Sequence, residues 1–221
     1  MVKKPTDRDV GGLWEYKNPS SSGDAFDVVL DGEHQGRLAW SLLGKHNQLN
    51  ALNAIAAARH VGVTPQVAIE ALASFSGVKR RLEVLYEDAD FVLYDDFAHH
   101  PSAIRSTLEG LRKAVSSDDI LAIVEPRTHT MSLGTLRHEL STCVAAADQV
   151  IWFRGENIKW DLNEIAQNSV VPARVLDKHG TLVEEILAAK RSSNKRLHAV
   201  IMSNGAFGGI YKTLVERLAA G

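Results

Sequence analysis

From residue 91 to the C-terminus, short apolar runs alternate with amphipathic stretches, and this rhythm restricts what the chain can fold into more than any other feature. The runs are 91–95, 120–125, 149–153, 173–176 and 197–202. Between them the pattern changes period: Ile104, Leu108, Leu111 and Val115 recur at i, i+4, i+7 and i+11, the stripe of a helix lying on a sheet. Helices are expected to begin near Pro101, Ser132, Gly180 and Gly208. This alternation predicts an α/β fold with a mostly parallel, doubly wound sheet. Leu82–Tyr86 and Phe91–Tyr94, separated by the polar Glu87-Asp88-Ala89-Asp90, predict an antiparallel hairpin at its start.

The first 80 residues follow no such rhythm. Residues 1–24 are polar, include Asn18-Pro19-Ser20-Ser21-Ser22-Gly23, and show no apolar period. Phe26–Leu30 and Gly36–Leu43 read as strands, with Asp31-Gly32 a turn signal in a connection longer than a two-residue loop. Two short strands alone predict a marginal sheet over 24–43. Leu49, Leu52, Ile55, Ala56 and Val61 predict a helix over 47–61, stopped by Gly62. Thr64-Pro65 supplies an N-cap and a proline at the first helical position for a second helix to Ala73. The division falls near residue 80, into 1–79 and 80–221, in keeping with a length of 221 residues.

Composition removes several function classes. Twenty-five basic side chains against 27 acidic ones leave no excess to neutralise a run of phosphates, so no nucleic-acid partner is expected. Cys143 is the one cysteine, which excludes an intrachain disulfide and a cysteine-built zinc site. No apolar run approaches the ~18 residues of a membrane span, and Met1–Val10 lacks the apolar centre of a signal peptide. The expectation is a cytoplasmic protein without a membrane partner.

In open α/β sheets, ligands bind outside the carboxyl ends of the strands. Those ends carry Asp95-Asp96 followed by His99-His100-Pro101, Glu125-Pro126-Arg127 followed by His129, Arg154, Asp177, and Ser203-Asn204-Gly205. Arg154 and Asp177 read as ordinary loop polarity. A carboxylate at Asp95-Asp96 can hold sugar hydroxyls or a metal, and an aspartate N-cap with a buried histidine would account for the same residues. The glycines of Ser203–Gly209 let backbone N–H groups approach an anion, and close strand–helix packing would equally require them. Asn47 and Asn50 share a helix face and offer the paired donors and acceptors that an adenine edge needs, as would simple capping. Lys79-Arg80-Arg81 forms a positive cluster at the domain junction, suited to phosphate or to pairing with Glu83.

Taken in order, His46-Asn47-x-x-Asn50, Arg81-x-Glu83 and Asp96-Phe97-Ala98-His99-x-Pro101 resemble the Mur ligase family, the ATP-dependent amide ligases of bacterial cell-wall synthesis. The resemblance covers about 24–221. It implies that 80–221 is the family's Rossmann-like C-terminal domain, whose mostly parallel sheet has one antiparallel strand. It makes 1–79 the tail end of the P-loop-type central ATPase domain. No G-x-x-x-x-G-K-[ST] occurs: the one Gly-Lys pair, Gly44-Lys45, has Ala39 five residues before Gly44. The phosphate-binding loop, the carbamylated lysine and the magnesium ligands are therefore expected upstream, the chain is read as a fragment inactive alone, and no metal ligand is expected within it. ATP and Mg2+ are the implied cofactors. By resemblance, Asn47 and Asn50 contact adenine with His46 adjacent, Arg81 lies near the phosphates, Asp96 binds the ribose and His99 lines the cleft. The implied reaction activates the carboxylate of UDP-N-acetylmuramate as an acyl phosphate for attack by an amine. Glu125–Met131 and Ser203–Gly209 resemble the branch of peptidoglycan recycling, whose acceptor is the murein tripeptide L-Ala-γ-D-Glu-meso-diaminopimelate. The alternatives are the L-alanine-adding branch, which carries a P-H-R-Y-T-R type segment there, and a non-catalytic nucleotide- or peptide-binding module. Arg127, His129, Ser203 and Asn204 are the expected grips on the tripeptide, Arg127 through its planar fork.

Overall fold

A computed structural model describes residues 12–127, 136–156, 158 and 160–220. The chain divides into two compact units, with the break between Gly77 and Val78, two residues before the one expected.

In the N-terminal unit, β1 (Trp14–Lys17), β2 (Ala25–Leu30) and β3 (Glu33–Ala39) form an antiparallel sheet in that order. The helices α1 (Lys45–His60) and α2 (Pro65–Ala73) follow. Thr64 caps α2 by accepting from the Val67 N–H, with Pro65 at its first position. Phe26, Val28 and Leu38 pack with Leu52, Ile55 and Ile69 as a core, and Trp14 and Tyr16 lean on it. Two expectations are corrected. Trp14–Lys17 is a strand, so the sheet has three strands and β2 lies between two partners; four residues are too few for their alternation to stand out. The hairpin turn is also shorter than expected, because Leu30 pairs with Glu33 and only Asp31-Gly32 lies between, at φ +50° and +84°. Two positive φ values match the right-handed twist of the flanking strands. Glu33-His34-Gln35 read as loop because an edge strand keeps polar residues.

The C-terminal unit runs β4 (Glu83–Glu87), β5 (Phe91–Asp96), α3 (Pro101–Val115), β6 (Asp119–Val124), α4 (Arg137–Cys143), β7 (Gln149–Phe153), α5 (Leu162–Gln167), β8 (Ala173–Leu176), α6 (His179–Ser192), β9 (Leu197–Met202) and α7 (Ile210–Ala220). The sheet order is β4-β5-β9-β6-β7-β8, with β4 antiparallel to β5 and all other pairs parallel. This is the expected Rossmann-like doubly wound sheet with one antiparallel strand. Successive residues point to opposite faces. Ala122, Val124, Val150, Trp152, Val200 and Met202 meet α3, α4 and α5 on one side. Leu121, Ile123, Ile151, Phe153, Ala199 and Ile201 meet α6 and α7 on the other. Covering both faces is why the strands are nearly continuous apolar runs. Each fully buried Leu, Ile or Phe contributes roughly 2 kcal/mol of transfer free energy. The α3 stripe is buried as read, with Ile104, Leu108 and Leu111 inside. The expected helix start at Ser132 lies outside the described residues. The six-residue α5 was not anticipated; Asp161 caps it by accepting from the Asn163 N–H.

One topological detail positions the chemistry. From β5 the chain passes through α3 to β6 and leaves a gap that β9 fills last. The carboxyl ends of β5, β9 and β6 therefore lie side by side, and pairing runs past them: Ser203 N–H donates to Asp96 O at 3.1 Å and Glu125 N–H to Met202 O at 3.0 Å. Such a point is where open α/β sheets take ligands.

Candidate functional site

Arg80 ties the ends of β5 and β9 together. Its Nε donates to Asp95 Oδ2 at 2.9 Å, and its Nη2 donates to the carbonyls of Ser203 at 2.6 Å and Gly205 at 2.8 Å. Tyr211, on α7, donates to the other Asp95 oxygen at 2.7 Å. Burial works against the Arg80 charge, but Asp95 outweighs it and holds the guanidinium above its ordinary range. Burial, then the Asp95 carboxylate, push the Tyr211 phenol upward. Sequence reading singled out Arg81. The two arginines are adjacent and chemically alike, and only the backbone distinguishes them: Arg80 takes φ +62° and turns inward. Arg81 stays exposed, its guanidinium 5.8 Å from the centre of the Phe97 ring.

Asp96 is 2% exposed. Its oxygens accept from the Leu82 N–H at 2.9 Å and the Ala98 N–H at 2.7 Å, with the Thr107 hydroxyl at 3.5 Å. Burial pushes its carboxyl up, and those two N–H groups pull it back. The aspartate therefore braces the start of β4 against the loop before α3. The cap of α3 is His100 rather than an aspartate: its Nδ1 accepts from the Ser102 N–H at 3.3 Å. The neighbouring His99 takes the opposite tautomer. Its Nδ1 lies 2.8 Å from the Phe97 carbonyl, which only accepts, so Nδ1 carries the proton and Nε2 keeps a lone pair.

The second cluster joins β6 to β9. The Ser203 hydroxyl donates to Glu125 Oε2 at 2.5 Å and accepts from the Gly205 N–H at 3.0 Å. Ser203 is 0% exposed, so it acts on a ligand only through Glu125. Arg127 is exposed and rests its guanidinium against Gly205, where a Cβ would overlap it. Glu125, Arg127, Phe153, Gly155, Glu156 and His179 line a cleft of about 180 Å³. Asn204 Oδ1 is buried and has no hydrogen-bond partner among the described residues. His129 lies outside the described residues. Arg154 pairs with Asp161 at 3.2 Å, as ordinary loop polarity would have it.

In the N-terminal unit, Asn47 and Asn50 share the first turns of α1. Asn47 Nδ2 donates to the Leu43 carbonyl at 2.8 Å, and Asn50 Nδ2 reaches Asn47 Oδ1 at 3.4 Å. Asn50 is exposed, while Asn47 and the neighbouring His46 are half-buried. Sequence reading placed Arg80 in a positive cluster suited to phosphate or to Glu83 rather than to Asp95, gave no role to Tyr211 or His179, and left Glu125 as one polar residue among several at strand ends. The strand-end rule picked out these loops without saying which side chains turn inward.

A six-stranded sheet with one antiparallel edge, its ligand-facing rim built by the ends of β5, β9 and β6, defines the C-terminal domain of the Mur ligases. A family model for the Mur ligase, glutamate ligase domain matches residues 80–205, and the chain belongs to the Mur ligase family. It is 41% identical over 209 residues to the UDP-N-acetylmuramate–L-alanyl-gamma-D-glutamyl-meso-2,6-diaminoheptandioate ligase of Escherichia coli, covering 94% of this chain and 45% of the relative. The ligase of the same name from Haemophilus influenzae is 39% identical over 206 residues, covering 93% of this chain and 45% of that one. Among solved structures, a murein peptide ligase from Psychrobacter arcticus superposes with a TM-score of 0.68 at 34% identity, over 96% of this chain and 45% of that chain. The chain thus spans about half the length of the curated relatives it matches.

Proposed function

We propose that this chain supplies the acceptor-holding residues, and part of the nucleotide-holding residues, of an ATP-dependent ligase. That ligase joins the carboxylate of UDP-N-acetylmuramate to the amine of L-Ala-γ-D-Glu-meso-diaminopimelate in the recycling of cell-wall peptide, a cytoplasmic reaction. The γ-phosphoryl group of ATP passes to the carboxylate, the alanyl amine attacks the resulting acyl phosphate, and phosphate leaves as the amide forms with loss of a proton. Such chemistry rests on positioning and charge stabilisation. The observation that carries the reading is the exposed Arg127 fork over the β9 loop, at the mouth of a cleft on the ligand-facing rim. A planar guanidinium is suited to a peptide carboxylate. The names of the two relatives supply the substrate.

For the nucleotide, Asn50 offers an exposed amide for the adenine edge with Asn47 beside it, Arg81 an exposed guanidinium for phosphate, and His99 the lone pair of Nε2. Asp96, with its oxygens engaged by the backbone, serves the ribose by fixing the loop that carries His99. Among the described residues no group of three or more His, Cys, Asp or Glu is arranged to hold a metal. The described residues do not by themselves fit magnesium.

Calorimetric titration of the chain with the tripeptide, beside ADP-magnesium, tests the assignment. Tripeptide binding that Arg127→Ala abolishes is the expected result. Nucleotide binding without tripeptide binding would remove the acceptor role and leave the nucleotide role standing.

A further inference from the structure

The geometry points to a zwitterion-reading subsite in the cleft, in which Glu125 takes an ammonium group and Arg127 the carboxylate on the same carbon. The inference rests on the acceptor reading above and names which end of the peptide enters. Glu125 is 5% exposed, yet no cation pairs with it among the described residues; its one side-chain hydrogen bond there, from Ser203, engages Oε2 alone. Burying a carboxylate without a cation costs stability, so a fold keeps one there for a ligand rather than for packing. The other oxygen, Oε1, is turned toward Gly155, where a side chain would approach it to 2.9 Å. Arg127 lines the same cleft, and no ion pair joins it to Glu125 or to Glu156 at the rim. Opposite charges held apart on one small cleft leave both free for a partner that carries both. Phe153 and His179, with ring centres 4.6 Å apart, add an apolar wall for a short carbon chain. At about 180 Å³ the cleft suits one amino-acid centre rather than a tripeptide.

The acceptor in the relatives' names has one such centre. In L-Ala-γ-D-Glu-meso-diaminopimelate the alanyl amine is the nucleophile, and the far carbon of the diaminopimelate bears a free ammonium beside a carboxylate. Docking that carbon between Glu125 and Arg127 leaves the alanyl end pointing away, toward the reaction. Glu125 is thus a specificity-determining residue that selects the third residue of the peptide.

Three peptides separate the two charges: the tripeptide itself, its analogue ending in 2-aminopimelate, which lacks the far ammonium, and its analogue ending in lysine, which lacks the far carboxylate. The wild-type chain is expected to bind the first about ten-fold or more tighter than either analogue. Glu125→Gln keeps an oxygen for Ser203 and therefore the fold, checked by its melting temperature. It is expected to bind the tripeptide and the 2-aminopimelate peptide alike, while still rejecting the lysine peptide. Gly155→Ala, which crowds Oε1 without touching Arg127, is expected to do the same. An Arg127→Gln chain loses the opposite distinction. Wild-type preference for the tripeptide retained in Glu125→Gln would overturn the ammonium role while leaving Arg127 as an acceptor grip. A wild-type chain that binds none of the three would overturn the acceptor reading and this inference with it.

Discussion

The two ends of the six-stranded sheet handle charge in opposite ways. At the amino ends of the parallel strands, charges close on one another. Lys190 pairs with Asp88, Arg196 with Glu87 and Arg112 with Asp148, each at 2.5 Å. The buried His198 lies between Asp118 at 3.2 Å and the Tyr94 hydroxyl at 3.0 Å. At the carboxyl ends, Arg80 is paired with Asp95 and holds the loop after β9, but Glu125 and Arg127 line one cleft with no ion pair to either among the described residues. Both ends stand on the same apolar layers, so core packing does not explain the difference. One end closes its charges on one another, and the other leaves them facing a cleft.

The contrast can be broken most forcefully at Arg80. Arg80→Ala leaves Asp95 with the Tyr211 hydroxyl but no cation and frees two carbonyls, and it is expected to cost about 3 kcal/mol in urea unfolding. A cost below about 1 kcal/mol would mean that the rim holds itself without the arginine. Gly205→Ala sharpens the comparison from the other side, because its methyl group displaces the movable tip of Arg127 rather than backbone. The expected outcome is about ten-fold weaker tripeptide binding with a melting temperature within about 2 °C of the parent. Equal losses of stability and binding would instead place Arg127 in the fold.

At the opposite end, Lys190→Ala should cost about 1 kcal/mol at neutral pH, as a partly exposed pair allows. Burial raises the Asp88 carboxyl, but the Lys190 ammonium and Tyr86 hydroxyl more than reverse this and hold it at about 2. A folded value below the unfolded one, near 3.9, gives stability that is present above about pH 4 and lost as the pH falls toward 2. The difference between Lys190→Ala and its parent should therefore shrink over that window in acid-denaturation curves. The smallest effect belongs to His198, whose imidazole burial holds below its ordinary 6.5 against the pull of Asp118. Its contribution is complete above pH 6.5 and declines as the pH falls below it, which a shallow slope in stability between pH 6.5 and 5 would register.

How much of this was legible follows from the length and burial of each element. The strands β5, β6, β7 and β9 stood out because both of their faces are covered, and α3 because fifteen residues display a full stripe. β1 and α5 were too short to show a period, and the charged start of β3 hid a strand in what read as a loop. In the site, the strand-end rule reached Asp96, His99, Arg127 and Ser203. It could not tell that Asp96 and Ser203 face inward as braces, because burial depends on partners distant in the chain: Leu82 for one, Glu125 for the other. Arg80 and Arg81 differ by a backbone angle that no composition encodes.

The position of β9 has a consequence for how the molecule is made. The strand at the heart of the ligand-facing rim is the last of the sheet to leave the ribosome. Until residues 197–202 emerge, β5 and β6 are two open edges with a strand-wide vacancy between them. Contacts that distant in sequence close slowly, and open edges invite pairing with other chains. A nascent chain stalled just short of Leu197 therefore carries nearly all of its apolar strands with neither a finished sheet nor a binding rim, so the last stretch of translation decides between a folded domain and an aggregate.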